Sequence, residues 1–211
     1  MLSEEQRNLL NEAMARYSEH LDEALPYLKG RGISEATART RGLGIVRDPV
    51  VGHENRVGRL AIPYVTQSGV VNMTFRCIQD HECKFLNHGK YLELAGAGTN
   101  LYGVNDIVEK NSLDICITEG EIDAIVLSEE VGIPAVGISG KDKWLPWWKQ
   151  IFSDFRRVYV FKDGDEAGDK LAEKVQKEMG MKAVICRMPD GEDVNSAYLE
   201  YGADYLKGFI K

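Results

Sequence analysis

The chain has 211 residues, 44% of them hydrophobic, and a formal net charge of −7 at pH 7. A chain of this length can bury a core in one or two small domains, and its acidic balance excludes the overall basic surface typical of nucleic-acid binders. Contact with an anionic polymer would need a local basic patch or bridging metal ions. The four cysteines have no paired spacing, and no signal peptide or long apolar run occurs, so we expect a cytoplasmic protein without a membrane segment.

The beginning of the chain combines helical patterns with a local excess of positive charge. Residues 1–24 have the apolar spacing of an amphipathic packing helix, and residues 34–42 that of a short helix. Residues 29–59 include seven basic and three acidic side chains, a local excess of four positive charges. Two interpretations stay open: a solvated helix face, or a surface that follows phosphates, with Arg39 and Arg41 as candidate contacts.

A β-hairpin is predicted for residues 58–78. The strand-like runs RLAIPYV and VVNMTFRCI flank a Gln-Ser-Gly turn. Arg59 and Arg76 lie toward the outer ends of the paired strands, so we expect them to be neighbours. Lys84 and Asn87 follow in the phrase KFLNHGKYL.

Two cysteines and two histidines follow the hairpin in the pattern C-x₃-H-x-C-x₄-H. They are Cys77, His81, Cys83 and His88. This spacing matches no common structural zinc site, and the same stretch is needed as strand and loop. The sequence therefore predicts no zinc site here.

Apolar strands alternate with helices in the second half of the chain, which predicts a parallel sheet with right-handed crossovers. The predicted strands are residues 113–118 (LDICIT), 134–139 (PAVGIS), 157–161 (RVYVF) and 183–188 (AVICRM). Helices are predicted at residues 121–132 and 166–179, and one or two short helices close the chain.

Three tryptophans lie in residues 139–152, between the second and third of these strands. The aromatic and basic residues concerned are Trp144, Trp147, Trp148, Lys141, Lys143 and Lys149. Together they could stack on the bases of a single strand, or the rings could pack a crossover helix against the sheet. Packing is predicted for at least one ring, because the adjacent Trp147 and Trp148 cannot share a face with equal burial.

Acidic residues follow the carboxyl ends of these strands. They are Glu119, Asp163, Asp165 and Asp193. Strand ends of a parallel sheet meet at one edge, and Asp163 and Asp165 point the same way in an extended segment. Like charges this close need a cation between them, or one must protonate, and Mg²⁺ suits an all-oxygen site. The alternative is a set of solvated turns with aspartate N-caps, but four acidic groups at one edge favour a metal site.

These acidic motifs resemble the Toprim domain. Glu-Gly-x-x-Asp after one strand, with Glu119 and Asp123, and Asp-x-Asp after a later strand are similar to motifs of bacterial DnaG-type primases, phage primase-helicases, topoisomerases, OLD-family nucleases and RecR-type repair proteins. The runs TEGEIDA and FKDGDEAG are most similar to the primase branch. The phrases Leu-x-x-Arg-Gly-Ile-Ser and Leu-Tyr-Gly extend the resemblance over nearly the whole chain.

The resemblance implies an α/β fold with two parts. A Toprim domain, residues 111–211, would have a four-stranded, mainly parallel sheet flanked by helices, and a smaller α+β basic subdomain, residues 1–110, would precede it. The implied activity is that of a DNA primase, a DNA-directed RNA polymerase that makes short RNA primers on single-stranded DNA from NTPs. Mg²⁺ or Mn²⁺ is the implied cofactor, and a replicative helicase and a separate zinc-binding module are implied partners.

The resemblance also implies roles for individual residues. A first metal ion is assigned to Glu119, Asp163 and Asp165, and a second to Asp193, with Asn195 at a position where the family often has another Asp. Catalytic contacts are assigned to Arg76 and Lys84. Binding of substrate or nucleic acid is assigned to Arg59, Arg76, Lys84, Asn87, Arg39 and Arg41.

Two other functions are compatible with a Toprim-like sequence. A Toprim nuclease would use the same carboxylates to activate water for phosphodiester cleavage. A non-catalytic DNA-binding module would have a degenerate acidic site, which the intact acidic set argues against. A topoisomerase is disfavoured because no partner domain with a catalytic tyrosine is evident.

Overall fold

The computed structural model describes residues 2–138 and 144–210. Within this part of the chain, no helix combines the length and apolar character needed to span a membrane. The chain divides into two compact units, residues 1–98 and residues 99–211. Each unit has its own sheet and its own hydrophobic core.

The boundary between the units differs from the sequence-based division after residue 110. A strand at Leu101–Tyr102 pairs with the strand Ala135–Ile138, and the helix Asn105–Glu109 contacts the same strand. Residues 99–110 therefore belong to the sheet of the second unit. A strand of two residues is too short to show the alternation that reveals longer strands.

An antiparallel sheet covered by a helix forms the first unit. Its elements are α1 (Glu4–Ser18), α2 (Leu25–Gly30), α3 (Glu35–Thr40), β1 (Gly44–Ile45), β2 (Leu60–Thr66), β3 (Gly69–Arg76) and β4 (Tyr91–Glu93). The strands lie in the order β1-β2-β3-β4, and every pair is antiparallel. α1 begins at the capping box of Ser3 and Gln6 and buries Tyr17 in a core with Met73 and Phe75.

The predicted hairpin is confirmed as β2 and β3. Leu60 pairs with Arg76, so Arg59 lies one residue before the paired segment. The loop of residues 77–90 then joins β3 to β4 and contains turns and bends but no helix or strand. This loop carries Lys84 and Asn87 of the candidate site.

A five-stranded sheet flanked by helices forms the second unit. Its elements are β5 (Leu101–Tyr102), α4 (Asn105–Glu109), β6 (Asp114–Thr118), α5 (Glu121–Ile125), β7 (Ala135–Ile138), α6 (Trp148–Ile151), β8 (Arg157–Lys162), α7 (Glu166–Met179), β9 (Ala183–Arg187), α8 (Val194–Tyr201) and α9 (Ala203–Lys207). The strand order is β5-β7-β6-β8-β9. Strands β6 to β9 are parallel and β5 is antiparallel, so the four predicted strands are confirmed and β5 is an additional edge strand.

The tryptophan segment divides between the core and the surface. Trp144 and Trp148 are 7% and 1% exposed in the core of the second unit, whereas Trp147 is 55% exposed. The two buried rings confirm the prediction that at least one ring packs in the core. Trp147 is exposed because adjacent side chains point in different directions along a helix. Lys141 and Lys143 lie outside the described residues.

Candidate active site

Two carboxylates meet where β6 and β8 end at the carboxyl edge of the parallel sheet. Glu119 follows β6, and Asp163 follows β8, its parallel neighbour. The backbone N–H of Asp163 donates a hydrogen bond of 2.9 Å to Oε1 of Glu119. Strand pairing therefore brings the predicted pair together, and the bond fixes the orientation of the Glu119 carboxylate.

Helix α7 approaches these carboxylates closely because its first turn contains Gly168. A Cβ atom at this position would lie 2.5 Å from the carbonyl oxygen of Asp163 and 2.6 Å from Oε1 of Glu119. Any side chain would therefore displace the helix or the carboxylate. Glycine is required here for close approach.

Asp165 and Asp193 are the N-cap residues of α7 and α8. Oδ1 of Asp165 accepts from the N–H of Gly168 at 2.9 Å, and Oδ1 of Asp193 accepts from the N–H of Ser196 at 2.6 Å. The N-cap alternative is thus observed for both residues. Capping engages one carboxylate oxygen, so it is compatible with metal binding by the same side chain.

Backbone hydrogen bonds join the turn after β8 to the turn after β9. The N–H of Gly164 donates to the carbonyl oxygen of Glu192 at 2.9 Å, and the N–H of Gly191 donates to the carbonyl oxygen of Gly164 at 3.2 Å. These bonds hold Asp193, the residue after Glu192, at the edge that carries Asp163.

Asp123 is a further acidic residue at this edge, and the site prediction omitted it. It lies in the first turn of α5 and is 8% exposed. Its Oδ1 accepts a hydrogen bond of 2.9 Å from the N–H of Asn195, which is fully buried at the start of α8. The signal in the sequence was its place in the Glu-Gly-x-x-Asp motif.

Burial and surrounding negative charge raise the pKa of Asp163 from 3.8 to about 8. The neighbouring carboxylates, in decreasing order of their effect, are Asp123, Glu119, Asp193 and Asp165. Such a set repels itself unless one member protonates or a cation is held among them. Hard divalent cations take carboxylate oxygens as ligands, so this donor set fits Mg²⁺ or Mn²⁺.

Arg76 is a buried cation at the end of β3 in the first unit. It is 6% exposed, and its guanidinium lies 5.5 Å from the ring centre of Tyr27 and 4.9 Å from that of Tyr91. It also donates a hydrogen bond to the Tyr91 hydroxyl. The two rings hold the guanidinium in place while leaving its charge intact.

Arg76 and Lys84 line the same groove beside the loop of residues 77–90. Arg31 and Lys90 line it as well, which adds two cations that the site prediction omitted. Asp80 and Glu82 line the groove too, so the four cations leave an excess of two positive charges, which is suited to binding phosphate groups.

Arg59 and Asn87 do not line this groove. Arg59 donates to the carbonyl oxygens of Gly89 and Lys90 at 3.0 and 3.3 Å, so it supports the backbone of the loop. Asn87 is exposed at a turn and has a positive φ of 52°.

The basic residues around α3 are largely paired with carboxylates. Arg39 contacts Glu35 at 2.6 Å and Asp22 at 3.4 Å, and Arg47 forms an ion pair with Glu23. Two of these acids, Asp22 and Glu23, lie just before residues 29–59, the stretch with an excess of four positive charges. Their negative charges lower the net positive charge of the surface around α3.

Comparison with known proteins assigns the class. Residues 116–198 match the family described as Toprim-like. The chain is 40% identical over 151 residues to the gene 57 protein of Mycobacterium phage D29, an alignment that covers 71% of this chain and 95% of that protein. It is 29% identical over 193 residues to a DNA primase of Clostridium acetobutylicum, covering 89% of this chain and 32% of the primase.

A solved DnaG primase catalytic domain bound to single-stranded DNA has the same fold. Its TM-score is 0.77 at 20% sequence identity, with 99% of this chain and 80% of that chain covered. The chain is therefore an α/β protein with a Toprim-like domain and the fold of a DnaG-type primase catalytic core. It belongs to the same family as the gene 57 protein of the mycobacteriophage. It spans about a third of the length of the curated primases that it matches.

Proposed function

We propose that this chain is the catalytic core of a DNA primase, a nucleotidyltransferase that copies single-stranded DNA into short RNA primers from NTPs. The observation that carries the proposal is the convergence of carboxylates at the carboxyl edge of the parallel sheet. The fold of the DnaG catalytic core and the similarity to curated primases support it.

In this proposal the carboxylates hold Mg²⁺ or Mn²⁺. Glu119, Asp163 and Asp165 hold one ion, and Asp193 contributes to a second. The ions would supply positive charge that stabilises the triphosphate and the attacking and leaving oxygens. The bond between Asp163 and Glu119 orients the Glu119 carboxylate before substrate binds, which lowers the cost of assembling the site.

The groove of the first unit supplies phosphate contacts in this proposal. Arg76 is fixed by two tyrosine rings and neutralises triphosphate charge, while the exposed Lys84 follows phosphates with a flexible side chain. Arg59 keeps the loop in position, and Asn87 is proposed as a contact to substrate or nucleic acid. Arg39 and Arg41 are proposed as weaker contacts to the template.

The proposed partners are a single-stranded DNA template and NTPs. A DnaG catalytic domain with the same fold is bound to single-stranded DNA. A replicative helicase and a separate zinc-binding module are further proposed partners, by the resemblance to primases.

Incubation of the full chain with a single-stranded DNA template, labelled NTPs and either Mg²⁺ or Mn²⁺ tests this function. The expected product is short RNA that depends on both the metal ion and the template. Metal-dependent shortening of the DNA would instead assign a Toprim nuclease. A shift of the DNA without any new or shortened strand would assign a binding module, and either result overturns the proposal.

A further inference from the structure

The loop of residues 77–90 gathers half of the chain's cysteines and histidines. Cys77, His81, Cys83 and His88 each place one ligand atom so that all four atoms lie within 4.8 Å of one another. Sγ of Cys77 lies 3.5 Å from Nε2 of His81, and Nε2 of His81 lies 2.9 Å from Nε2 of His88. Two sulfurs and two imidazole nitrogens therefore converge on one point.

These separations are close to those of a tetrahedral zinc site, and the outer limit of 4.8 Å exceeds them by about 1 Å. Bond lengths of about 2.3 Å to sulfur and about 2.05 Å to nitrogen place adjacent ligand atoms about 3.4 to 3.8 Å apart. The sulfur to nitrogen separation already lies in this range. The two imidazole nitrogens would move apart by a few tenths of an ångström, which a loop without helix or strand can accommodate.

The orientation of the histidine rings also fits metal binding. The rings of His81 and His88 are almost perpendicular, at 85°, so they meet through their edges and direct Nε2 atoms toward each other. Nδ1 of His88 lies 3.2 Å from the carbonyl oxygen of Gly89. With Nε2 on a metal, Nδ1 would carry the proton and donate to this carbonyl, as metal-bound histidines usually do. The guanidinium Nη2 of Arg59, which lies 3.2 Å from the same Nδ1 and can only donate, would then turn away from it.

A turn explains how the unusual spacing brings the ligands together. The N–H groups of Leu86 and His88 both donate to the carbonyl oxygen of Cys83, at 3.2 Å each. The chain therefore folds back over Cys83, and His88 returns beside His81. Cys77 is held at the end of β3, because its N–H donates to the carbonyl oxygen of Lys90 at 2.8 Å.

We propose that Cys77, His81, Cys83 and His88 form a structural Zn²⁺ site that closes the loop of residues 77–90. Two thiolates and two imidazoles are a ligand set that zinc favours, and four protein ligands leave no open position for catalysis.

The loop has few other means of holding its shape. Phe85 and Leu86 are 80% and 59% exposed, so little apolar surface of this loop is buried. A metal ion would supply the stability that a core supplies elsewhere. Because Lys84 and Asn87 lie between the ligands, the same ion would hold these residues in place beside the groove. The site is independent of the carboxylates, so it stands or fails separately from the proposed activity.

Co²⁺ is the probe for this site. The full chain, purified under reducing conditions and stripped of metal, is titrated with Co²⁺ and then with Zn²⁺. We expect stoichiometric binding with the intense visible bands of tetrahedral Co²⁺ and near-ultraviolet thiolate-to-cobalt absorption, both lost when Zn²⁺ displaces Co²⁺. The carboxylate site gives neither signal, since it has no sulfur ligand and six oxygen ligands around Co²⁺ give only weak visible bands. Absence of thiolate absorption in the wild-type chain overturns the proposal, and so does a Cys77–Cys83 disulfide that persists under reducing conditions.

Variants of the ligands provide a second readout. Cys83→Ser and His88→Asn should lose the tetrahedral Co²⁺ bands, and in buffer free of Mg²⁺ and Mn²⁺ chelation should no longer lower their melting temperature. His20→Asn is the matched control, because His20 is a partly exposed histidine outside the cluster, and it should bind as the wild type does. Equal Co²⁺ spectra in the ligand variants and the control contradict the assignment.

Discussion

Asp163 links electrostatics to stability at the scale of a single residue. Its pKa is raised from 3.8 to about 8 by burial and by neighbouring carboxylates, so folding favours the protonated form. The stabilisation from this proton is complete below the unfolded-state pKa and is lost as the pH rises through about 8. We therefore expect the free energy of unfolding of the metal-free protein to fall across this interval, as measured by denaturant melts in the presence of a chelator.

Asp163→Asn should flatten this dependence, because the amide cannot ionise. Glu173→Gln on the exposed face of α7 is the control and should keep the wild-type slope. Asp163→Ala should leave the metal-free stability level or raise it, and Mg²⁺ should stabilise the wild type more than this variant. If the unfolding free energy of Asp163→Asn fell with pH as steeply as that of the wild type, the Asp163 carboxyl would not be the group responsible for the pH dependence.

Gly168→Ala tests the close approach of α7 to the carboxylates. The added Cβ would overlap the Asp163 carbonyl and Oε1 of Glu119, so we expect a loss of about 1–3 kcal/mol of unfolding free energy. Primer synthesis should fall with it, because Glu119 is displaced. Gly30→Ala, where no atom lies within 4 Å of the added group, is the matched control and should change neither quantity appreciably.

At the scale of elements, two adjacent residues at the start of α6 differ in burial: Trp148 lies in the core and Trp147 is exposed. Trp148→Ala should lose about 3–5 kcal/mol of unfolding free energy, because it empties a core position. Trp147→Ala should change stability little. If the exposed Trp147 ring stacks on a template base, its removal should weaken single-stranded DNA binding by about 1–3 kcal/mol. Unchanged binding would assign this ring to the solvated surface.

Variants of Arg39 and Arg41 test whether the basic residues in and after helix α3 contact the phosphates of the template. Removing both Arg39 and Arg41 flattens the salt dependence of DNA binding by about 1.4 if each contacts a phosphate, at about 0.7 per contact. Because Arg39 is paired with Glu35 and Asp22, we expect a flattening smaller than 1.4. Binding isotherms over a salt series measure the slope. An unchanged slope would return α3 to the solvated-face interpretation.

At the scale of the whole molecule, elements with a clear apolar pattern were predictable, and the two-residue edge strand was not. Four parallel strands and the hairpin follow from largely apolar segments of five or more residues, within which the observed strands have four to eight residues. The edge strand Leu101–Tyr102 has no such run, and its pairing partner lies more than thirty residues away. Tertiary pairing, not local preference, makes it a strand.

The candidate site likewise contains residues that local sequence patterns reveal and others that only tertiary contacts reveal. Glu119 and Asp163 were predictable because each directly follows a strand whose end is fixed by the sheet. Asp123 lies inside a helix and follows no strand end, so its place at the edge is indicated by the Glu-Gly-x-x-Asp motif and by its contact with Asn195. The spacing of the cysteines and histidines predicts no zinc site, yet the turn over Cys83 brings the four side chains together. Ion pairs between distant segments, such as Arg39 with Asp22, are likewise invisible to a local count of charge.

Primer synthesis by carboxylate variants is the most direct test of the account. Wild type, Glu119→Ala, Asp163→Ala and the control Glu173→Ala are compared on one single-stranded template, with labelled NTPs and Mg²⁺. Each variant is first shown to be folded. We expect Glu119→Ala and Asp163→Ala to lose at least about 100-fold in primer yield, the scale of losing a preorganised electrostatic group, while Glu173→Ala matches wild type. Folded Glu119→Ala and Asp163→Ala that retain wild-type primer synthesis would contradict it.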